Sequence, residues 1–386
     1  MLVACGKEIA LSTATPAKLP TFSASPGNTQ ILPTQTLVNV SAIQDFPLHL
    51  LWTFQAGRPI HIPPRVAAEV VLATMYGPPS VTHIALEPGT GKELWQYPVY
   101  DAKGIYAGAV ITTKNTLVVA DRMQVKAVDL VTGQLVWQVD DRDIVWGIAA
   151  SSDSVFSISR KFITAINMAS GEIVWRIESA AFNPSDIYYN DQTNHVVVQG
   201  KALYLINPAT GVVLSTIEAR GCSESGQLYN SRIYCGSKVY EAETGITVSD
   251  KDFNAFPAYV FTPLIEENTI YVSTKTGTVL AVDLDTMLPK WEYIPLHRGE
   301  GLRPEIISNV AVLGTVGYAV ATDATLRAFD ISSGQEVGWW QALGVVDWWH
   351  GGEGPVSDAV PVTGVASDGS RLYASLGFDT VYAFEP

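Results

Sequence analysis

A unit of roughly 40 residues recurs along this chain, and the recurrence limits its possible folds more than any other feature. The best copy is Ala127-Val128-Asp129-Leu130-Val131-Thr132-Gly133-Gln134-Leu135-Val136-Trp137. A short apolar strand ends in an acidic or amide residue. Two variable residues follow, then Thr or Ser and Gly, and a second strand places Trp four residues after the Gly. This reads as a hairpin whose turn runs from Asp129 to Gly133, with Gly133 free to take the positive φ of a bulged turn. Further copies are Glu87…Gly91…Trp95, Asn167…Gly171…Trp175, Asn207…Gly211…Ser215, Glu241…Gly245…Ser249, Asp283…Met287…Trp291 and Asp330…Gly334…Gly338. Between Gly91, Gly133, Gly171, Gly211, Gly245, Met287 and Gly334 the spacings are 42, 38, 40, 34, 42 and 47 residues. β-patterning at such a period means units that bury their faces only by stacking on neighbours.

The two ends complete the count. Near the amino terminus, His49 to Phe54 reads as a lone strand whose Leu51-Trp52 matches Leu94-Trp95, yet no turn precedes it. Near the carboxyl terminus, three strands (362–366, 371–376 and 380–384) stop without a fourth. One end supplies what the other lacks. The expectation is an all-β, eight-bladed β-propeller of four-stranded antiparallel blades, its ring closed by the strand around Trp52 completing the last blade. Trp52, Trp95, Trp137, Trp175 and Trp291 should dock blade on blade, each ring filling the gap and its indole N–H reaching a neighbour's backbone. The fourth and fifth blades carry Ser215 and Ser249 at that position, so weaker docking is expected there.

Apolar residues make up 47% of the chain and charged residues only 16%, rich in β-formers and with no long helical stripe. A net charge of −14 argues against nucleic acid and anionic membrane as direct partners, since a phosphate backbone demands a basic footprint. Leu2-Val3-Ala4-Cys5 looks like a bacterial lipobox, with Cys5 as the lipidated residue, although only four residues precede it. Residues 6–45, rich in Ser, Thr and Pro, should be a disordered tether, leaving 46–386 to the propeller. An exported, lipid-tethered monomer is expected, touching the membrane only through the lipid.

The Ala-x-Asp-x-x-Thr-Gly-x-x-x-Trp unit resembles the repeat of the pyrroloquinoline-quinone (PQQ)-type β-propellers, over about Phe46 to Pro386. That family holds quinoprotein dehydrogenases and also non-enzymatic, BamB-like lipoprotein propellers. The resemblance implies that a dehydrogenase would carry adjacent cysteines over the quinone, a stacking Trp and a Ca²⁺ held by Glu, Asn and Asp. Here the cysteines are Cys5, Cys222 and Cys235, none adjacent, and no calcium set is placed by motif. The resemblance therefore extends to the scaffold and not to the chemistry. No cofactor, no metal and no catalytic residue is expected, and the nearest kin in kind are the BamB-like propellers.

Function should sit in unrepeated residues. The loops that leave each Trp strand for the next blade gather on one face and are rich in large groups: His61 and Arg65, Tyr106, Trp146, Tyr259, Arg303, and above all Trp348, Trp349 and His350 in the longest of them. These are the candidate contacts for a protein partner in the cell envelope. Two other readings stay open: a quinone- or Ca²⁺-dependent dehydrogenase, and a carbohydrate- or cell-wall-binding propeller using the same aromatic groups. Trp348 and Trp349 could equally plug the channel. Cys222 and Cys235 flank a hairpin turn near 228–231 and could pair as a disulfide on adjacent strands or remain free thiols. The six histidines show no metal spacing, and Asp140-Asp141-x-Asp143 lacks the Gly and distal Glu of a calcium loop.

Overall fold

The computed structural model describes residues 43–44, 46–100, 109–111, 115–218, 227–229, 232–249, 264–296, 304–341 and 364–386, apart from 68, 78, 79, 181, 185, 192, 236, 237, 242–245, 275, 287, 377 and 378. Among these residues every regular element is a strand. The strands form eight antiparallel sheets, numbered here in chain order: residues 60–100, 109–140, 145–178, 186–217, 227–249, 264–293, 311–341 and 364–385. The first seven run as meanders, each strand pairing with the next. In the eighth, His49–Gln55 pairs antiparallel with Thr380–Glu385, with Trp52 opposite Ala383. The same register holds in the first three sheets, where Trp95, Trp137 and Trp175 lie opposite Ala85, Ala127 and Ala165.

Each turn follows from its residues. Asp129 Oδ1 accepts hydrogen bonds from the backbone N–H of Val131 (3.1 Å) and Thr132 (2.7 Å) and from the Thr132 hydroxyl (2.8 Å). These bonds hold the Asp129 carboxyl below its usual pKa range. Asn167, Asn207, Asp283 and Asp330 repeat the arrangement. Gly133 N–H then donates to Asp129 O at 2.8 Å, with φ at 70°. The following strand bulges at Val136, because Leu135 pairs with Val128 but Trp137 with Ala127. The outer strand of every sheet slips at this point, and the residue before the Trp position is pushed outward. This explains the exposure of Leu94, Val136, Val174, Leu214 and Val337. A bulge on each outer strand also spoils it as a template for edge-to-edge pairing. Past the bulge of the seventh sheet one edge is used: Ile43 and Gln44, within the segment expected to be tether, pair with Trp340 and Trp339.

Eight apolar clusters join the sheets, each bridging two neighbours. Leu72 and Val119 belong to the one between sheets one and two, Val118 and Val155 to the next, and Phe156 and Val196 to the third. The series runs on through sheets four to eight. The last cluster sets Trp52, Tyr373 and Val381 of the eighth sheet against Val71, Ile84 and Leu86 of the first. At five of these seams the Trp of one sheet lies on the turn glycine of the next. A Cβ added to Gly91 would sit 2.6 Å from Trp52, and one on Gly133 would sit 2.6 Å from Trp95. Gly171, Gly211 and Gly334 are crowded in the same way by Trp137, Trp175 and Trp291. Each indole Nε1–H donates to a carbonyl in that turn: Trp52 to Pro88, Trp95 to Leu130, Trp137 to Met168, Trp175 to Pro208 and Trp291 to Ile331, at 2.7–3.0 Å.

Candidate functional site

Several expected contact residues, Tyr106, Tyr259, Arg303, Trp348, Trp349 and His350, lie outside the described residues, as do Cys5, Cys222 and the segment 6–42. For the others the structure changes the picture. His61 and Arg65, expected on a loop, fall within the strand Ile60–Ala67, because Ile60, Ile62 and Val66 supply a strand pattern around Pro63-Pro64. Trp146, also expected on a loop, lies in Val145–Ala150 and packs against the cluster between sheets three and four. Cys235 ends the strand Arg232–Cys235. In that hairpin Gln227 faces Tyr234, a centre two residues later than direct opposition of positions 222 and 235 would need.

Arg65 stands opposite Leu72, one row from Thr74, His83 and Tyr97, which lie in register across three strands. Paired residues share a face, and Leu72 and Ala85 show that this face meets the second sheet. His83 is fully buried, and its Nδ1 lies 3.0 Å from Thr74 Oγ1. Burial, with the Arg65 charge beside it, pushes the imidazole pKa down to about 3, so the ring is neutral. When the Thr74 hydroxyl donates to Nδ1, the ring proton sits on Nε2, which has no partner. Burial also lowers Arg65, with no acidic group offsetting it. Tyr97, raised first by burial and then by Asp121, keeps its hydroxyl proton. Across the seam Asp121 is taken by Lys126. The sequence hid this group because His83 occupies an apolar phase of Ser80–Leu86. Alternation places it with Val81 and Ala85, and that is the signal that could have found it.

Two further polar groups are structural in form. Arg327 is fully buried and sits on Asp323 and Glu336, and Glu336 also accepts from Tyr293 Oη at 2.7 Å. Asp141, 1% exposed, accepts from Ser157 Oγ at 2.9 Å and lies 3.7 Å from Arg176 Nη2. Burial pushes its carboxyl up to about 6. At the turn end of the sheets, opposite the loops that link them, a groove of about 620 Å³ is lined by Glu69, Glu87, Leu94, Val131, Asp368 and Arg371. Among the described residues no three His, Cys, Asp or Glu side chains are grouped to hold a metal ion. In sequence, Cys5, Cys222 and Cys235 are not adjacent to one another.

Sheets of one repeated hairpin, locked Trp on Gly, define a PQQ-type repeat protein of propeller-like architecture. A family model described as outer membrane protein assembly factor BamB matches residues 38–140 and again 121–232, and the chain belongs to this family. No curated protein sequence matches it. Among solved structures, BamB from Moraxella catarrhalis is 16% identical with a TM-score of 0.61, covering 88% of this chain and all of that one. The computationally designed Ika8 protein is 14% identical with a TM-score of 0.62, over 87% of this chain and 99% of its own. Quinohemoprotein alcohol dehydrogenase from Comamonas testosteroni is 12% identical with a TM-score of 0.61, over 88% of this chain and 76% of its own. At these identities the likeness is one of fold, and it reaches scaffold and enzyme alike.

Proposed function

We propose that the chain is a non-catalytic, exported binding or assembly scaffold, built as a closed ring of eight blades and recognising a protein partner of the cell envelope through loops on one face. The observation that carries the reading is the BamB family match across half of the sequence. Ring closure is supported by the pairing of His49–Gln55 with Thr380–Glu385 and by the apolar cluster between the eighth and first sheets. The absence of adjacent cysteines in the sequence favours the scaffold over the dehydrogenase reading. In this proposal a lipid on Cys5 tethers a monomer to the membrane, residues 6–42 are the tether, and Trp348, Trp349 and His350 are the central contacts.

Cross-linking in intact cells tests the proposal. Wild type and a groove variant, Glu69→Lys with Glu87→Lys, should capture the same envelope protein. Trp348→Ala with Trp349→Ala should lose it at nearly unchanged melting temperature. Retention by the double Trp variant, or its collapse in stability, would remove those loops from the recognition role. Cys5→Ser should move the protein from the membrane to the soluble fraction, and an unchanged distribution would remove the lipid.

A further inference from the structure

We infer that Arg65 and His83 form a binding site for a small oxyanion, a carboxylate or a phosphate-type group, at the seam between the first and second sheets. This site goes beyond the scaffold role and stands independently of it.

Two interior arginines of the molecule are paired with carboxylates. Arg327 is given two carboxylates, Asp323 and Glu336, and Arg176 lies beside Asp141. A desolvated guanidinium left alone is costly, so such pairing is the ordinary solution. Arg65, like the half-buried Arg232 and Arg371, has no such pair among the described residues. It is half-buried, and no described carboxylate lies within ion-pair reach. The nearest acid across the seam, Asp121, is held by Lys126.

The second observation is His83. Its ring is fixed through Nδ1 by Thr74, and its buried Nε2 is unpartnered. Orphaned buried polar atoms are uncommon in folded proteins and call for an account. The polar groups on this face are the Arg65 guanidinium, the His83 Nε2, which carries the ring proton when Thr74 donates to Nδ1, and the protonated Tyr97 hydroxyl. They can all donate, and the charge among them is positive. The missing partner is therefore an acceptor with negative charge. The planar guanidinium fork suits two oxygens of one group, and the partial exposure of Arg65 leaves a path from solvent.

Isothermal titration of inorganic phosphate and of acetate into the full chain, at constant ionic strength in chloride, tests the site. At least one probe should bind saturably, phosphate alone marking a phosphate-type ligand and acetate alone a carboxylate. Arg65→Gln should weaken that binding by about tenfold or more, and His83→Asn by a smaller factor. In wild type, the His83 Nε2 resonance should shift in step with the binding heat. The inference is overturned if neither probe saturates, or if folded Arg65→Gln binds as wild type does. Should Arg65→Gln fail to fold, a His83 signal unmoved at saturating anion in wild type overturns it instead.

Discussion

The seams between sheets one to four and those between sheets four to six are built from the same repeat and held differently. In the first group a Trp ring covers a turn glycine and its N–H is bonded to a carbonyl of that turn. In the second, Ser215 and Ser249 stand where the Trp would be, with Ser215 opposite Leu205 and Ser249 opposite Val239. In sequence the turn glycine is kept as Gly245 in the repeat after Ser215 and replaced by Met287 in the repeat after Ser249, whereas Gly91, Gly133, Gly171, Gly211 and Gly334 each lie against a Trp ring. At the seventh seam Gly338 takes the Trp position, opposite Ala328, and the eighth sheet offers no such turn. Trp and Gly thus act as one element divided between neighbouring sheets.

The largest test of this contrast removes the lock. Trp137→Ala should cost about 3–5 kcal/mol by chemical denaturation, while Ser215→Ala should cost under about 1 kcal/mol. Equal losses would erase the distinction. Next comes the other half of the pair. Gly133→Ala should cost roughly 2–3 kcal/mol, from a Cβ driven into Trp95 and from positive φ. In a Trp95→Ala background only the φ part, about 1 kcal/mol, should remain.

Within the well-locked region, Asp141 gives a pH test. In the folded chain it keeps a proton up to about pH 6, while the unfolded chain releases it near the usual carboxylate value. The fold is therefore penalised as pH rises through about 6 and relieved as pH falls toward 4. Asp141→Asn should remove roughly 2 kcal/mol of that penalty at pH 7.5 and flatten this part of the profile. His83 has the opposite sign. Its folded pKa of about 3 lies below the unfolded value, so its contribution is lost as pH falls below about 6.5. Melting temperatures of wild type, Asp141→Asn and His83→Asn between pH 4 and 8 separate the two. The smallest effect is a gain: Ser215→Trp should add about 1 kcal/mol if its seam accepts the ring, and amides of the fifth sheet should then exchange more slowly.

Much of the fold was legible because the hairpin is a local device. Asp129 through Trp137 announces turn, bulge and outer strand within eleven residues, and the unmatched strand at Trp52 pointed to its partner at the far end. What crosses between repeats was harder to read. Nothing near Gly133 in sequence tells that its hydrogen is demanded by Trp95, 38 residues earlier, as much as by φ. Polar side chains in apolar phase were missed for the same reason. His83 and Arg327 sit where alternation asks for aliphatic residues, and Thr74 and Glu336, which partner them, come from neighbouring strands. Arg65 was picked out by residue type but placed on a loop, whereas it lies inside the strand Ile60–Ala67, which carries Pro63-Pro64.

The pairing of His49–Gln55 with Thr380–Glu385 also has a mechanical reading. Tension applied from the amino-terminal side would reach Ile43–Gln44 first, then His49 against Glu385, and Gln55 against Thr380 last. Midway along this seven-residue strand the pull must draw the Trp52 ring off Gly91 and break its bond to Pro88. One indole would then act as the detent that sets how much force the join tolerates before it slips.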